Sequence, residues 1–140
     1  KKERKEVLEE LVNETRTIIL YEAPHKLVRT LRDLRETLGN RRMTLCRELT
    51  KKHETAFHST IDDLITHYEK EKPLGECVLV IEGKSRQELK EEAVASWEEI
   101  SIEEHMEIYE KKGMSRKDAM KQVAKDRGVS KRDIYSYLMK

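Results

Sequence analysis

The chain has 140 residues, of which 36% are apolar and 41% charged, and its formal net charge is +1. That length suits one ordinary domain or a small core with an appendage, since a self-standing core needs about 50 residues. No apolar stretch approaches the roughly 20 residues of a membrane span and no signal-peptide pattern is present, which excludes the usual helical membrane classes and points to the cytoplasm.

The composition demands a thin core served by strongly two-faced helices. Cys46 and Cys77 stand alone, away from any metal-ligand spacing, and read as small core hydrophobes in a reducing compartment; no metal centre is expected. The start, KKERKEVLEE, lies inside a helical pattern and lacks a methionine, as a piece of something longer would.

The small net charge hides three blocks. Residues 1–86 are nearly balanced, residues 87–110 hold nine acidic side chains against one basic, and residues 111–140 hold ten basic against three acidic. Such blocks divide the chain into a core over 1–84, an acidic connector over 85–100 and a basic module over 101–140 that suits polyanions. The acidic block also reads simply as a solvated helix face.

In chain order, Val7, Leu8, Leu11 and Val12 recur at helical spacing, and TIILYEA at 17–23 is a short apolar run rich in strand formers. Pro24 opens a helix, where its missing N–H costs nothing. Leu27, Val28, Leu31, Leu34 and Leu38 give that helix one apolar face, and Gly39 can end it. MTLCREL at 43–49 and HETAFHS at 53–59 read as strands. Thr60 caps a helix with Asp63 three residues on and a stripe of Ile61, Leu64, Ile65 and Tyr68. After Pro73 and Gly75, CVLVIEG at 77–83 reads as a buried strand. The order predicts an α/β layer structure: a mixed β-sheet with flanking helices.

The last forty residues follow another rule. Ser101 with Glu104, Ser115 with Asp118, and Ser130 with Asp133 are capping-box pairs that begin three short helices, and Gly113 and Gly128 stand where the first two stop. Ile102, Met106, Tyr109; Ala119, Met120, Val123, Ala124; and Ile134, Tyr137, Leu138 supply a shared core. The RGVS turn has helix-turn-helix length, so a small trihelical, helix-turn-helix-like module is expected. Trp97 packs an end of the connector.

No phosphate-binding glycine loop, dinucleotide fingerprint, nucleophile elbow or Cys/His cluster is present. Polar groups at strand ends become the candidates, because open α/β sheets bind ligands outside the carboxyl ends of their strands. They are Glu22 and His25 after the first strand, Arg47, Glu48, Thr50 and Lys51 after the second, and Glu82 after the last. His25 is expected in the first turn of its helix, where the positive helix end keeps the ring neutral; it also reads as a plain surface histidine. Glu22 closes a buried strand and must be hydrogen-bonded, paired or facing a cleft. RELTKKHE at 47–54 fits either a charged hairpin edge that blocks strand pairing or a phosphate contact through Arg47, Lys51 and Lys52.

TIILYEAPHKL, LCRELTKKHE, CVLVIEG and the basic GMSRKDAMKQVAKDRGVSKRDIYSYL tail, taken together and in order, closely resemble the C-terminal half of the small-subunit rRNA methyltransferases of the tetrapyrrole methylase family. Where the family usually has YESPHR, this chain has Ala23 and Lys26, which removes a capping hydroxyl and replaces a planar fork with a point charge. The resemblance implies a homodimeric, S-adenosylmethionine-dependent enzyme that methylates the 2′-hydroxyl of a cytidine in small-subunit (16S) rRNA. It implies two α/β domains with the cofactor between them. This chain would be the second domain plus the tail, inactive alone. Carried to matching positions, the cofactor contacts are Tyr21 and Glu22, Glu48 and Leu49, and Glu76 and Cys77. Glu22 and His25 become candidates for taking the proton or orienting the ribose. Lys117, Lys121, Lys125, Lys131 and Arg132 would meet rRNA phosphates, and Tyr135 would either stack on a base or pack within the module. Three other readings stand beside this one: a small-molecule tetrapyrrole methylase, a noncatalytic dimerisation domain, and a helix-turn-helix DNA reader, which lacks an Asn or Gln to read adenine on its last helix.

Overall fold

In the computed structural model, which describes residues 2–47 and 55–140, the helical start of the chain is α1 (Lys2–Glu10) and the first apolar run is β1 (Ile18–Glu22). Pro24–Lys26 then forms a 3-10 turn, and the α-helix proper, α2 (Leu27–Leu38), begins three residues later than the proline alone suggests. Ala23 has no side chain with which to cap that turn. β2 (Arg42–Arg47), β3 (Thr55–Thr60), α3 (Ile61–Lys70) and β4 (Cys77–Ile81) follow. The Thr60 hydroxyl accepts from the Asp63 N–H at 3.2 Å, as a helix cap should.

The α/β class is as expected, but the sheet is not mixed. Its order is β1-β4-β2-β3, and each of the three pairings is antiparallel. β1 and β2 do run in the same direction, as a strand–helix–strand crossover requires; they are not neighbours, because β4 occupies the slot between them in the opposite sense.

One face of the sheet carries the core. Along β4, Cys77, Leu79 and Ile81 are buried while Val78 and Val80 are half-buried, the period-two signature of a sheet covered on one side. Leu27, Leu31 and Leu34 of α2, Ile61 and Leu64 of α3, and Leu8 of α1 join Ile18, Met43, Leu45, Leu79 and Ile81 in a single apolar cluster. Each of those leucines contributes about 1.5–3 kcal/mol by leaving water. On the other face, Ile19 and Tyr21 are exposed.

At the end of the sheet where β1 begins, Arg41 ties three segments together. Its guanidinium donates to the carbonyls of Leu38, Glu82 and Val12 at 3.0–3.1 Å, closing the end of α2, the end of β4 and the turn after α1 with one planar fork.

The chain divides into two units, Lys1–Ser85 and Arg86–Lys140. The stretch read as a connector is helical and part of the second: α4 (Arg86–Ser96) and a 3-10 turn at Trp97–Glu99. α5 (Ile102–Lys111), α6 (Arg116–Arg127) and α7 (Lys131–Leu138) complete it. Ser101 and Ser130 form reciprocal capping boxes with Glu104 and Asp133; Ser115 caps α6 through the Asp118 N–H. Met106, Ala119, Val123, Ala124 and Ile134 are the small shared core. Gly128 adopts the left-handed conformation that ends α6. No helix among the described residues is long and apolar enough to cross a membrane.

After β4 the chain passes close over the turn that follows α1. The Lys84 N–H donates to the Glu14 carbonyl at 2.7 Å, and a Cβ on Gly83 would stand 2.2 Å from the Thr15 carbonyl oxygen. Gly83→Ala therefore forces backbone apart and is expected to destabilise the first unit by about 1–3 kcal/mol. Urea unfolding followed by far-UV circular dichroism measures this, and an unchanged midpoint would contradict the close approach.

Candidate functional site

The antiparallel slot taken by β4 decides which strand ends meet. Glu22 is paired with Cys77, Cys77 with Arg47, and Arg47 with Thr55, so one row crosses all four strands at one rim. With neighbouring strands about 4.8 Å apart, the backbones of Glu22 and Arg47 are roughly 10 Å apart across that rim. Glu76 precedes the row and is exposed; Tyr21 stands next to the row on the face opposite the core, 82% exposed. Of the sequence candidates, Tyr21, Glu22, Arg47, Glu76 and Cys77 are thus brought together. Glu82 is not. It follows Ile81, which pairs with Ile18 and Met43 at the opposite rim, because β4 runs against β1 and β2. Glu48, Leu49, Thr50, Lys51 and Lys52 lie outside the described residues.

Glu22 is held from two sides. Its Oε1 accepts from the Ala23 N–H at 2.8 Å, and its Oε2 accepts from the Thr30 hydroxyl at 2.5 Å. Thr30 is itself buried and accepts from the Arg4 guanidinium at 2.7 Å. The carboxylate is oriented through a relay of three side chains and keeps lone pairs for a further donor. His25 sits in the 3-10 turn rather than the first turn of an α-helix, with its side chain exposed.

Beneath the rim, the Tyr68 hydroxyl is buried without a hydrogen-bond partner among the described residues. Burial pushes its phenol up, against the pull of the nearby Arg47 guanidinium. Cys77 is buried on the helix side, whereas Cys46, paired with Val78 on the neighbouring strand, points to the other face. The two thiols therefore sit close in the sheet and on opposite sides of it.

In the second unit, α6 presents Lys117, Lys121 and Lys125 at four-residue spacing, which places them on one helix face, all exposed. Arg132 is exposed and Lys131 half-buried at the start of α7. None of the five has an ion pair among the described residues. Tyr135 is 53% exposed and outside the module core, while its neighbour Ile134 fills that core.

The second unit also holds a polar cluster that sequence reasoning overlooked. His105 is fully buried, stacked on Trp97 with ring centroids 3.9 Å apart and planes 8° from parallel. Its Nδ1 accepts from the Arg127 Nε–H at 2.9 Å, which leaves the proton on Nε2, 3.0 Å from Asp126. Asp126 also accepts from the Tyr109 hydroxyl and from Gln122, and Arg127 continues to the Ile100 carbonyl at 2.7 Å. Burial lowers the His105 pKa, and the Arg127 charge adds to the effect against the pull of Asp126. Burial and the neighbouring carboxylate push Tyr109 up to about 12. For Asp126 burial acts upward, and the hydrogen bonds from Tyr109, Gln122 and His105 overcome it to hold the carboxyl low. The available signal was the stripe itself: His105 lies between Ile102, Met106 and Tyr109 on the face that packs inward.

Residues 1–65 match the family described as Tetrapyrrole (Corrin/Porphyrin) Methylases. Among curated proteins, the chain is similar to the Ribosomal RNA small subunit methyltransferase I of Bacillus subtilis, with 44% identity over 135 residues that cover 96% of this chain and 46% of that protein. The protein of the same name from Halalkalibacterium halodurans is 43% identical over 137 residues, covering 97% and 46%. That from Synechocystis sp. is 37% identical over 133 residues, covering 94% and 46%. The chain spans about half the length of the curated relatives it matches.

The buried imidazole carries a pH signature. Because the folded chain holds the His105 pKa below its unfolded value of about 6.5, the unfolded chain binds the extra proton as pH falls through that value. Stability from the neutral ring is complete above pH about 6.5 and declines on acidification through the lower, folded pKa. Trp97, the only tryptophan in the sequence, reports unfolding of this unit. Its fluorescence-detected urea midpoint is expected to drop between pH about 7.5 and about 5.5; equal midpoints would contradict the neutral assignment.

Proposed function

We propose that the chain, whose residues 1–65 match the tetrapyrrole methylase family, is the second-domain and tail portion of a methyltransferase that acts on small-subunit rRNA with S-adenosylmethionine as methyl donor. The relatives' printed names support the substrate class, and their greater length supports the reading that this portion works with a further half and is inactive by itself. The carrying observation is the row Glu22, Cys77, Arg47: strand ends that are far apart in sequence meet at one rim of the sheet.

The residues of that rim suit the proposed cofactor. The backbone and side chains of Tyr21, Glu22, Glu76 and Cys77 would line one wall, with Glu48 and Leu49 assigned to the same wall by resemblance. When bound, S-adenosylmethionine supplies an electrophilic methyl group. The protein's share is to align a ribose 2′-hydroxyl, a poor nucleophile, and to give its proton a destination. Glu22, locked by Thr30 and the Ala23 N–H, is a positioning group for that hydroxyl. His25, exposed in the adjoining turn, is the proton acceptor in this proposal, since an imidazole nitrogen can accept a proton. The nucleotide is taken to be a cytidine of 16S rRNA, and the working form a cytoplasmic homodimer.

Arg47 at the rim, Lys51 and Lys52 by sequence alone, and Lys117, Lys121, Lys125, Lys131 and Arg132 in the second unit are proposed to hold RNA phosphates, a contact that gives affinity without reading sequence. Tyr135, exposed beside Arg132, is placed in the same role by stacking on a base.

Two measurements test this. In a protein of the relatives' full length, transfer of a tritiated methyl group to small ribosomal subunits is expected, with none from the 140-residue chain alone. His25→Ala is expected to lower kcat about 10²–10⁴-fold with little change in cofactor KM; no incorporation by the full-length parent, or an undiminished kcat in the variant, would count against the assignment. For the basic face, Lys117→Ala, Lys121→Ala and Lys125→Ala combined are expected to weaken binding of single-stranded RNA and to flatten its log–log salt dependence by about 2 units. An unchanged slope would remove α6 from the interface.

A further inference from the structure

A groove of about 700 Å³ lies between α1 and α2, within the size range of ordinary ligand clefts. Leu8 and Val12 give it an apolar floor. Its charges are not spread evenly. The two helices run the same way along the groove: Arg4 near the start of α1 reaches Thr30 and Asp33 of α2, while Val12 beyond the end of α1 is tied by Arg41 next to the end of α2. The cations Arg4, Lys5, Lys26 and Arg29 therefore gather at one end, and Glu9 and Glu36 fall toward the other.

Three of those four cations are unused by the fold. Arg4 is committed to Thr30 and, at 3.2 Å, to Asp33. The side chains of Lys5, Lys26 and Arg29 are exposed and make no ion pair or hydrogen bond among the described residues. Ion pairing within the fold therefore does not account for the gathering of these three side chains. The basic end is also the end at the rim, because the Thr30 hydroxyl that Arg4 contacts is the one that holds Glu22.

We propose that the basic end of this groove binds the sugar–phosphate backbone of the RNA substrate next to the nucleotide undergoing modification. The inference rests on the rRNA reading above and adds a site to it: Lys5, Lys26 and Arg29 hold phosphates flanking the target, and the acidic far end, at Glu9 and Glu36, turns the strand away. Low-dielectric walls strengthen the field that the cations project into the groove. Contact at this point fixes the register of the strand relative to Glu22.

The test is fluorescence anisotropy with the full 140-residue chain and a short fluorescein-labelled single-stranded RNA across a salt series. Lys26→Ala with Arg29→Ala is expected to weaken binding about tenfold near 0.1 M salt and to reduce the log–log salt slope by about 1.4, the share of two single-strand phosphate contacts. Both side chains are exposed and unpartnered, so the thermal midpoint should hold. The reversal Lys26→Glu with Arg29→Glu should weaken binding further, and Glu9→Ala with Glu36→Ala should leave it unchanged or tighter. If the alanine pair binds with the parent's affinity and slope while the α6 lysine variant does not, the groove is overturned and the rRNA reading stands. If the parent chain fails to bind RNA at all, both fall. Equal binding of duplex DNA, weakened equally by the alanine pair, would overturn the assignment to RNA.

Discussion

The insertion of β4 between two strands of like direction is the constraint on which the first unit depends. A crossover through α2 returns β2 parallel to β1 but leaves a gap one strand wide, and the gap is filled by a strand running the other way. Every neighbouring pair then has the antiparallel ladder. The end of β1, the end of β2 and the start of β4 share a margin by necessity, and a polar rim is the result. Had β4 entered in the same sense as its neighbours, Glu82 would stand beside Glu22, and Cys77 would lie at the far side of the sheet.

The two units solve the problem of a charge-rich composition differently. In the first, α2 and α3 supply leucine and isoleucine to one face of the sheet, so a thin core is made deep by layering. In the second, the apolar cluster is small, and the space beside it is filled by Trp97, His105, Tyr109, Asp126 and Arg127, a network in which nearly each donor meets an acceptor. Removing one member of such a network leaves its partners desolvated, so it specifies one arrangement more sharply than a leucine cluster of equal volume.

Local structure was legible in the sequence to the extent that neighbours along the chain decide it. The leucine stripe of α2, the Thr60 cap, and the capping boxes at Ser101 and Ser130 depend on residues three or four apart and read correctly. The sense of β4 does not, since its partners are some thirty to sixty positions away and either direction buries Cys77, Leu79 and Ile81 equally well. For the same reason Glu82 looked like a site residue when taken as the end of a parallel strand. The 3-10 turn at Pro24–Lys26 shows a finer limit: proline announces a helix start, but the register of the first α-turn is set by how Leu27 must point into the core. His105 was hidden by its type. Its place on the apolar stripe marked the burial, but its partners Asp126 and Arg127 lie 21 and 22 residues away on another helix, beyond any local pattern.

The clamp made by Arg41 has a bearing on the order of events in folding. The carbonyls it gathers belong to the turn after α1, the last turn of α2 and the residue after β4, so the fork closes only when those three have already arrived. A fork that needs all three carbonyls at once loses hydrogen bonds when any one of the segments departs. Arg41 thus makes three remote segments interdependent at the rim opposite Glu22 and Cys77.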